Sequence, residues 1–360
     1  MKICFFLSDI TKVGGIERVT STLIQQLVHE RNLDIEIVSM FKCRDVPNYP
    51  IPDNVKIHYL VRKPHGAKPH SLKRAVNMFS KMKIVSKFFR MQAYDIIIAQ
   101  SFPSALLLFM CNVNRKSIVA VEHVYAGYYG ALLQKIRDYA YNRVRKVVVL
   151  TSNDVKFFEK RGINNVIQIP NPVLPMRGKL SDCYAKRIIA VGRLVYQKGF
   201  ENLIDGFKRI HMHYPDWSLD IFGDGPMKEE LQQKITSNGL NGIVTLKGLT
   251  NQVAKELAES SVFVLSSRFE GFPMVLVEAM NQGVPCVAYD CPNGPSDIIR
   301  NGHNGLLVEN QNLDKLVDAI EYMIAHVDER VKMGLNAPSS VSQFSEAKVA
   351  AQWLKLINSL

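Results

Sequence analysis

The chain has 360 residues, 47% of them hydrophobic and 22% charged, with a net charge of +12. That length is long for one core and points to two domains, and the composition is ordinary for a soluble globular protein. No stretch reaches the ~20 apolar residues of a membrane span, and six scattered cysteines without a CxxC pair argue against a disulfide framework or a zinc site.

The opening MKICFFLSDI turns polar too soon for a signal peptide. Reduced thiols in a cytoplasmic, soluble or membrane-peripheral protein are the expectation. The charge is unevenly distributed. Residues 1–180 hold 28 Lys+Arg against 12 Asp+Glu, and the remainder holds 17 against 21.

In chain order, KICFFLS (2–8) reads as a first strand, and TKVGGIERV (11–19) follows it with Gly14 and Gly15 ahead of a helix. Ile16, Val19, Leu23, Ile24 and Leu27 give that helix one apolar stripe. Glycine at such a turn lets a substrate or another chain approach the backbone, although a plain βα turn explains it equally. LDIEIVSM (33–40) and VKIHYL (55–60) are the next strands.

From Asp53 to Asp95 ten basic residues occur without an acid between them, and SLKRAVNMFSKMKIVSKFFRM (71–91) alternates cations with Val, Met, Ile and Phe. This predicts a basic amphipathic helix. It is either an ordinary surface helix or a docking element for an anionic bilayer. Nucleic acid is disfavoured as a partner, since no recognition motif accompanies the charge.

Strands YDIIIA (94–99), SIVAVEH (117–123) and KVVVLTS (146–152) complete the first series. Glu122 and His123 close one of them, followed by three tyrosines and two glycines in VYAGYYG. A histidine there is either structural or a substrate contact. The Pro- and Gly-containing IPNPVLPMRGKLSD (169–182) reads as a linker.

A second series follows: RIIAVGR (187–193), SLDIFG (218–223), IVTLKG (243–248), SVFVLSS (261–267), VPCVAYD (284–290) and GLLV (305–308). Several strands of the first series are apolar on both faces, as strands between helical layers are. Two doubly wound α/β domains are predicted, over 1–170 and 171–344, with ligands beyond the carboxyl ends of the strands.

Chemistry then belongs to the loops after the second series. VGRLVYQKGF (191–200) offers Arg193 and Lys198, a forked donor and a compact charge suited to a diphosphate. FGDGPMKEEL (222–231) has Gly223 and Gly225 but Lys228 where a third glycine of a dinucleotide fingerprint would fall, so an NAD loop is disfavoured. A structural turn or a ligand contact both fit it.

In RFEGFPMVLVEAM (268–280), Glu270 lies in a loop and Glu278 inside the helix that Pro273 opens. Acids so far apart along loop and helix suit separate hydroxyl groups better than one glycosidic bond. Free amides around Phe272, Met274 and Val275 are expected to form an anion site at the helix start. Acids for hydroxyls and amides for phosphate describe a nucleotide-sugar site.

Taken together, VGRLVYQKG, GDGP, the GGIE loop and the Glu–seven residues–Glu spacing of Glu270 and Glu278 closely resemble glycosyltransferase family four, over nearly the whole chain. The resemblance implies a GT-B architecture, two Rossmann-like domains facing a cleft. It also implies that residues 345–360 form a helix crossing back to the first domain.

By position it implies that Arg193 and Lys198 neutralise the donor diphosphate, Glu278 holds ribose hydroxyls, and Glu270 contacts the donor sugar. His123 would lie near the transferred sugar and the acceptor, and Gly15 would meet the phosphate or the acceptor. Asp297 stands where many relatives carry glutamate, which leaves that carboxylate's role open.

The implied reaction is a retaining hexosyl or N-acetylhexosaminyl transfer from a nucleoside-diphosphate sugar, UDP-linked, to a lipid-linked oligosaccharide. No DxD motif follows a strand, which agrees with catalysis without a metal or other cofactor. A UDP-sugar epimerase and a non-catalytic sugar-nucleotide or membrane-binding scaffold are the rival readings.

Overall fold

The structure, a computed structural model, describes residues 1–63, 72–174 and 178–360. It divides into two compact units, Met1–Pro172 with Glu346–Leu360, and Val173–Ser345.

The first unit contains β1 (Lys2–Leu7), α1 (Gly15–Leu27), β2 (Asp34–Phe41), β3 (Lys56–Val61), α2 (Leu72–Phe79), α3 (Met82–Met91) and β4 (Ile96–Ala99). Next come α4 (Phe102–Met110), β5 (Ile118–Val121), α5 (Ala131–Tyr141), β6 (Lys146–Val149), α6 (Ser152–Glu159) and β7 (Val166–Gln168). The second unit contains β8 (Arg187–Val191), α7 (Phe200–His213), β9 (Ser218–Phe222), α8 (Lys228–Ser237), β10 (Val244–Gly248), α9 (Val253–Ala258) and β11 (Val262–Leu265). It continues through α10 (Met274–Asn281), β12 (Cys286–Tyr289), α11 (Pro295–Ile298), β13 (Gly305–Val308), α12 (Leu313–Ala325) and α13 (Val327–Val341). The chain's last helix, α14 (Glu346–Ser359), belongs to the first unit.

Each unit is built on one parallel sheet, ordered β3-β2-β1-β4-β5-β6-β7 and β10-β9-β8-β11-β12-β13. Strand periodicity divides the core of the first unit. Ile3, Phe5 and Leu7 of β1 face Leu23 and Leu27 of α1 and Trp353 and Leu356 of α14. Cys4 and Phe6 point the other way, into a cluster with Val85 and Phe89 of α3 and Leu107 and Leu108 of α4. Alternate residues of one strand thus serve two helical layers, which is why β1, β4, β5 and β6 carry no charged residue beyond an initial lysine in β1 and β6.

Strand order reverses beside β1, flanked by β2 and β4, and beside β8, flanked by β9 and β11. Crevices open at such switch points because consecutive connections leave in opposite directions.

Two sequence expectations are corrected. The helix expected over 71–91 is two helices, α2 and α3, broken at Ser80 and Lys81. The Ser80 hydroxyl donates to the Asn77 carbonyl at 2.8 Å and ends the first. Ser71 lies outside the described residues. The first unit also has a seventh strand, β7, whose VIQ is too short for a periodicity signal. Of the expected linker, 175–177 lie outside the described residues, and the Val173 amide donates to the Phe344 carbonyl at 2.9 Å.

Candidate active site

In the second unit the loops after β8 and β11 meet at the switch point. Gly199 permits the approach. Its φ is +60°, and a Cβ there would lie 2.3 Å from the Ser266 carbonyl oxygen.

Several hydrogen bonds join the loops. The Ser266 hydroxyl donates to the Lys198 carbonyl at 2.9 Å, and the Gln197 side-chain amide donates to the Phe269 carbonyl at 2.9 Å. The Arg268 backbone amide donates to the Gln197 carbonyl at 2.8 Å. Arg268 forks its guanidinium between the Tyr196 carbonyl at 2.6 Å and the Glu201 carboxylate at 2.6 Å. The same group lies 3.9 Å from the centre of the Tyr196 ring.

This double loop presents Lys198 and Glu270 to one another. Lys198 Nζ donates to Glu270 Oε1 at 2.6 Å, and the Ser267 hydroxyl donates to the same oxygen at 2.6 Å. Their side chains are 14% and 7% exposed, so the pair is largely desolvated yet reachable along the lysine. Arg193 stands exposed at the other end of the same loop.

Gly223 has a packing reason of its own. With φ at +142°, a Cβ there would lie 1.8 Å from the Gly192 carbonyl oxygen, so glycine lets the loop after β9 lie directly on the loop after β8.

On α10, Met274, Val275 and Glu278 share the partly exposed face. The expected run of free amides is corrected here. Pro273, at φ −78° and ψ 77°, makes an inverse γ-turn, and the Met274 amide donates to the Phe272 carbonyl at 2.9 Å. Phe272 is itself buried, its ring packed edge-on against Phe344 at 5.3 Å.

In the first unit, Gly15 is the first residue of α1, behind Gly14 in extended backbone. His123 follows β5. Its Nε2 lies 2.8 Å from Oε1 of Gln100, which follows β4 and is buried. With that carbonyl accepting, Nε2 carries the proton and Nδ1 is the acceptor. Burial pushes the imidazole down to about 4, so the ring is neutral near pH 7.

Glu122 points away into the interior. It accepts from Arg137 at 2.8 Å and from the Tyr141 hydroxyl at 3.0 Å, and desolvation pushes it up to about 7 against the lowering effect of Arg137. Arg137 also donates to the Ala126 carbonyl and to Gln134, and the Ala126 amide donates to Asp154 at 2.9 Å. This network holds the loop that carries His123.

Gln100, Arg137, Gln197, Ser267 and Arg268 escaped sequence reasoning. Each is an ordinary polar residue whose partner lies on another element.

Two family models match, "Glycosyl transferases group 1" over residues 180–340 and "Glycosyltransferase Family 4" over residues 13–176. The chain belongs to this glycosyltransferase family. The glycosyltransferase is 28% identical to the amylovoran biosynthesis glycosyltransferase AmsD of Erwinia amylovora, over 99% of each chain. Over 38% of each chain it is 36% identical to the lipopolysaccharide 1,6-galactosyltransferase of Salmonella typhimurium.

Its fold is the GT-B fold of S. aureus TarM, solved with fondaparinux, alpha-GlcNAc-glycerol and UDP (TM-score 0.79, 18% identity, 99% of each chain). Anabaena HepE in complex with UDP shares it as well (TM-score 0.79, 20% identity, all of each chain).

Proposed function

We propose that this glycosyltransferase moves a hexosyl or N-acetylhexosaminyl unit, with retention of configuration, from a UDP-linked sugar to a lipid-linked oligosaccharide in bacterial O-antigen, capsule or related glycan assembly. The carrying observation is the Lys198–Glu270 pair at the switch point of the second unit, with exposed Arg193 in the same loop. Two relatives by fold were solved with UDP, which supports the choice of nucleotide.

In this reading the donor diphosphate recruits Lys198 and Arg193. The bond from the anomeric carbon to the β-phosphate oxygen breaks, and the bond to the acceptor oxygen forms on the same face. The departing phosphate takes the acceptor proton. The two cations carry the developing charge, Lys198 from a largely desolvated position where fixed charge is most effective and Arg193 from the exposed start of the loop. The scheme needs no metal.

Glu270 shares one oxygen between Lys198 and Ser267 and turns the other, to which the Gln197 side-chain amide donates at 3.5 Å, towards donor-sugar hydroxyls. Glu278 takes the ribose, and Val275 stands in the first turn of α10 beside the phosphates. Neutral His123 accepts a hydroxyl through Nδ1, and Gly15 gives the acceptor or phosphate access to backbone. The excess of positive charge over residues 1–180 suits an acceptor held at the anionic cytoplasmic face of a membrane.

Glu270→Ala and Lys198→Ala should each abolish transfer, measured with radiolabelled UDP- and GDP-sugars against membrane lipid extract. Normal turnover in either variant removes the assignment, and sugar interconversion in acceptor-free buffer identifies an epimerase instead.

A further inference from the structure

Helix α5 is inside out. Its buried residues include Gln134 and Arg137, while Leu132, Leu133, Ile136 and Tyr139 are 73%, 48%, 37% and 54% exposed. Residues 132, 136 and 139 recur at helical spacing, so the apolar side chains form one stripe turned to solvent.

The inversion has a cause. The Arg137 guanidinium is held inside by Glu122 at 2.8 Å and by the carbonyl of Ala126, and Tyr141 adds its hydroxyl to Glu122. Rotating α5 to bury its leucines would pull a fully buried ion pair into solvent or leave its carboxylate alone. The apolar stripe is therefore the consequence of a polar interior, and it continues onto its neighbours. Tyr139 meets Phe109 of α4 edge-on at 5.8 Å, Met110 at the end of α4 is 48% exposed, and Met91 at the end of α3 is 73% exposed.

Cations border this surface. Lys83, Lys87 and Arg90 are exposed on α3, Lys135 on α5, and Arg143 beyond its end, where the guanidinium lies 3.7 Å from the Tyr139 ring centre. Between residues 72 and 147 the acids are Asp95, Glu122 and Asp138. Glu122 is buried, Asp138 is paired with Arg161 at 2.6 Å, and Asp95 accepts from the Lys2 backbone amide at the start of β4. Protruding leucines bordered by cations that make no ion pair among the described residues match a surface that is negative outside and apolar just beneath.

We infer that the outward stripe of α5, with the adjoining ends of α3 and α4, seats this protein on an anionic phospholipid bilayer by burying Leu132, Leu133 and Ile136 among the lipids while the bordering cations meet the headgroups. The inference rests on the reading of the first unit as the half that meets a lipid-borne acceptor. It adds an insertion site where charge alone gave only attraction.

The test is flotation of the full chain, without donor or acceptor, on vesicles of phosphatidylglycerol and phosphatidylcholine and on vesicles of phosphatidylcholine alone. The wild type should bind the mixed vesicles and bind phosphatidylcholine at least about ten-fold more weakly. The Leu132→Gln, Leu133→Gln, Ile136→Gln triple variant should lose at least about ten-fold in affinity for the mixed vesicles with an unchanged melting temperature. Lys83→Ser with Lys87→Ser should weaken binding less, and its remaining binding should depend less on salt.

Equal binding of the triple variant and the wild type overturns the proposal, as does equal binding to both vesicle types. A wild-type dimer that the triple variant dissolves also overturns it, by making a second copy the occupant. UDP binding measured by calorimetry separates the two readings: a chain that binds vesicles but not UDP refutes the UDP-linked donor alone, and the converse refutes this inference alone.

Discussion

Two desolvated acid–base pairs stand beyond strand ends in this protein, Glu122–Arg137 in the first unit and Lys198–Glu270 in the second. Their distances are similar, 2.8 and 2.6 Å, but their surroundings differ. The first is closed. Its side chains are 2% and 0% exposed; the Tyr141 hydroxyl donates to Glu122 and Arg137 donates to the Ala126 carbonyl, while Arg137 Nε is buried without a partner among the described residues. The second keeps a 14% exposed lysine on a loop held by backbone staples. A buried pair that no ligand can reach fixes structure, whereas one with an open side can exchange its partner for a ligand.

The sharpest way to break this comparison is Arg137→Ala. Removing the guanidinium leaves the Glu122 carboxylate buried and unpaired, and should lower stability by about 3–5 kcal/mol, read from urea denaturation. A loss below about 1 kcal/mol would mean that the closed pair does not hold α5. The alanine variants of Lys198 and Glu270 are the counterpart, with loss falling on turnover while the fold survives.

A smaller effect is expected at Arg268. Lysine keeps its charge but cannot fork between the Tyr196 carbonyl and Glu201 while lying on the Tyr196 ring. Arg268→Lys should therefore lower kcat/KM by about ten-fold, corresponding to about 1.4 kcal/mol, with the change carried by KM for the donor. A pure loss of melting temperature with unchanged kinetics would make Arg268 structural only.

The smallest net effect is in pH dependence, where two opposing contributions overlap. His123 has its folded value pushed down to about 4, below an ordinary value of 6.5, so the unfolded chain binds the extra proton between those limits. Its contribution to stability is complete above about pH 6.5 and is lost as pH falls towards 4, and His123→Asn should remove this positive contribution to the slope of melting temperature against pH in that window. Glu122 acts with the opposite sign. Its folded value is raised to about 7, so its contribution is complete below an ordinary value of 4.5 and is lost as pH rises through 7. The two windows overlap between 4.5 and 6.5, where the slopes oppose, so Glu122→Gln should remove that loss and steepen the rise that His123 gives there.

Much of the fold was legible because it rests on local pattern. Runs such as FFL, IIIA and VFVL announce strands covered on both sides, and glycine-bearing loops mark their carboxyl ends. Where the pattern was short or double it misled. VIQ of β7 is too brief to register, and one basic stripe over 71–91 concealed a break at Ser80.

The site was legible as a set of charged residues at loop positions. The Met274 amide was misjudged because the proline turn that engages it depends on a ψ angle that composition does not report. Gly223 was ambiguous for a related reason, since its requirement comes from the Gly192 carbonyl on a different strand's loop.

The sequence by itself determined the paired parallel sheets, the basic first unit and the residue types facing the strand ends, since these follow from periodicity, charge and turn chemistry within a few residues. Only tertiary structure decided which acid Lys198 meets, that Glu122 turns to Arg137 while His123 turns to Gln100, and that α5 shows its leucines to solvent. Those outcomes depend on which partners distant in the chain can satisfy a buried charge. A desolvated charge without a partner costs more than an exposed leucine, so the polar interior dictates which face of the helix turns outward.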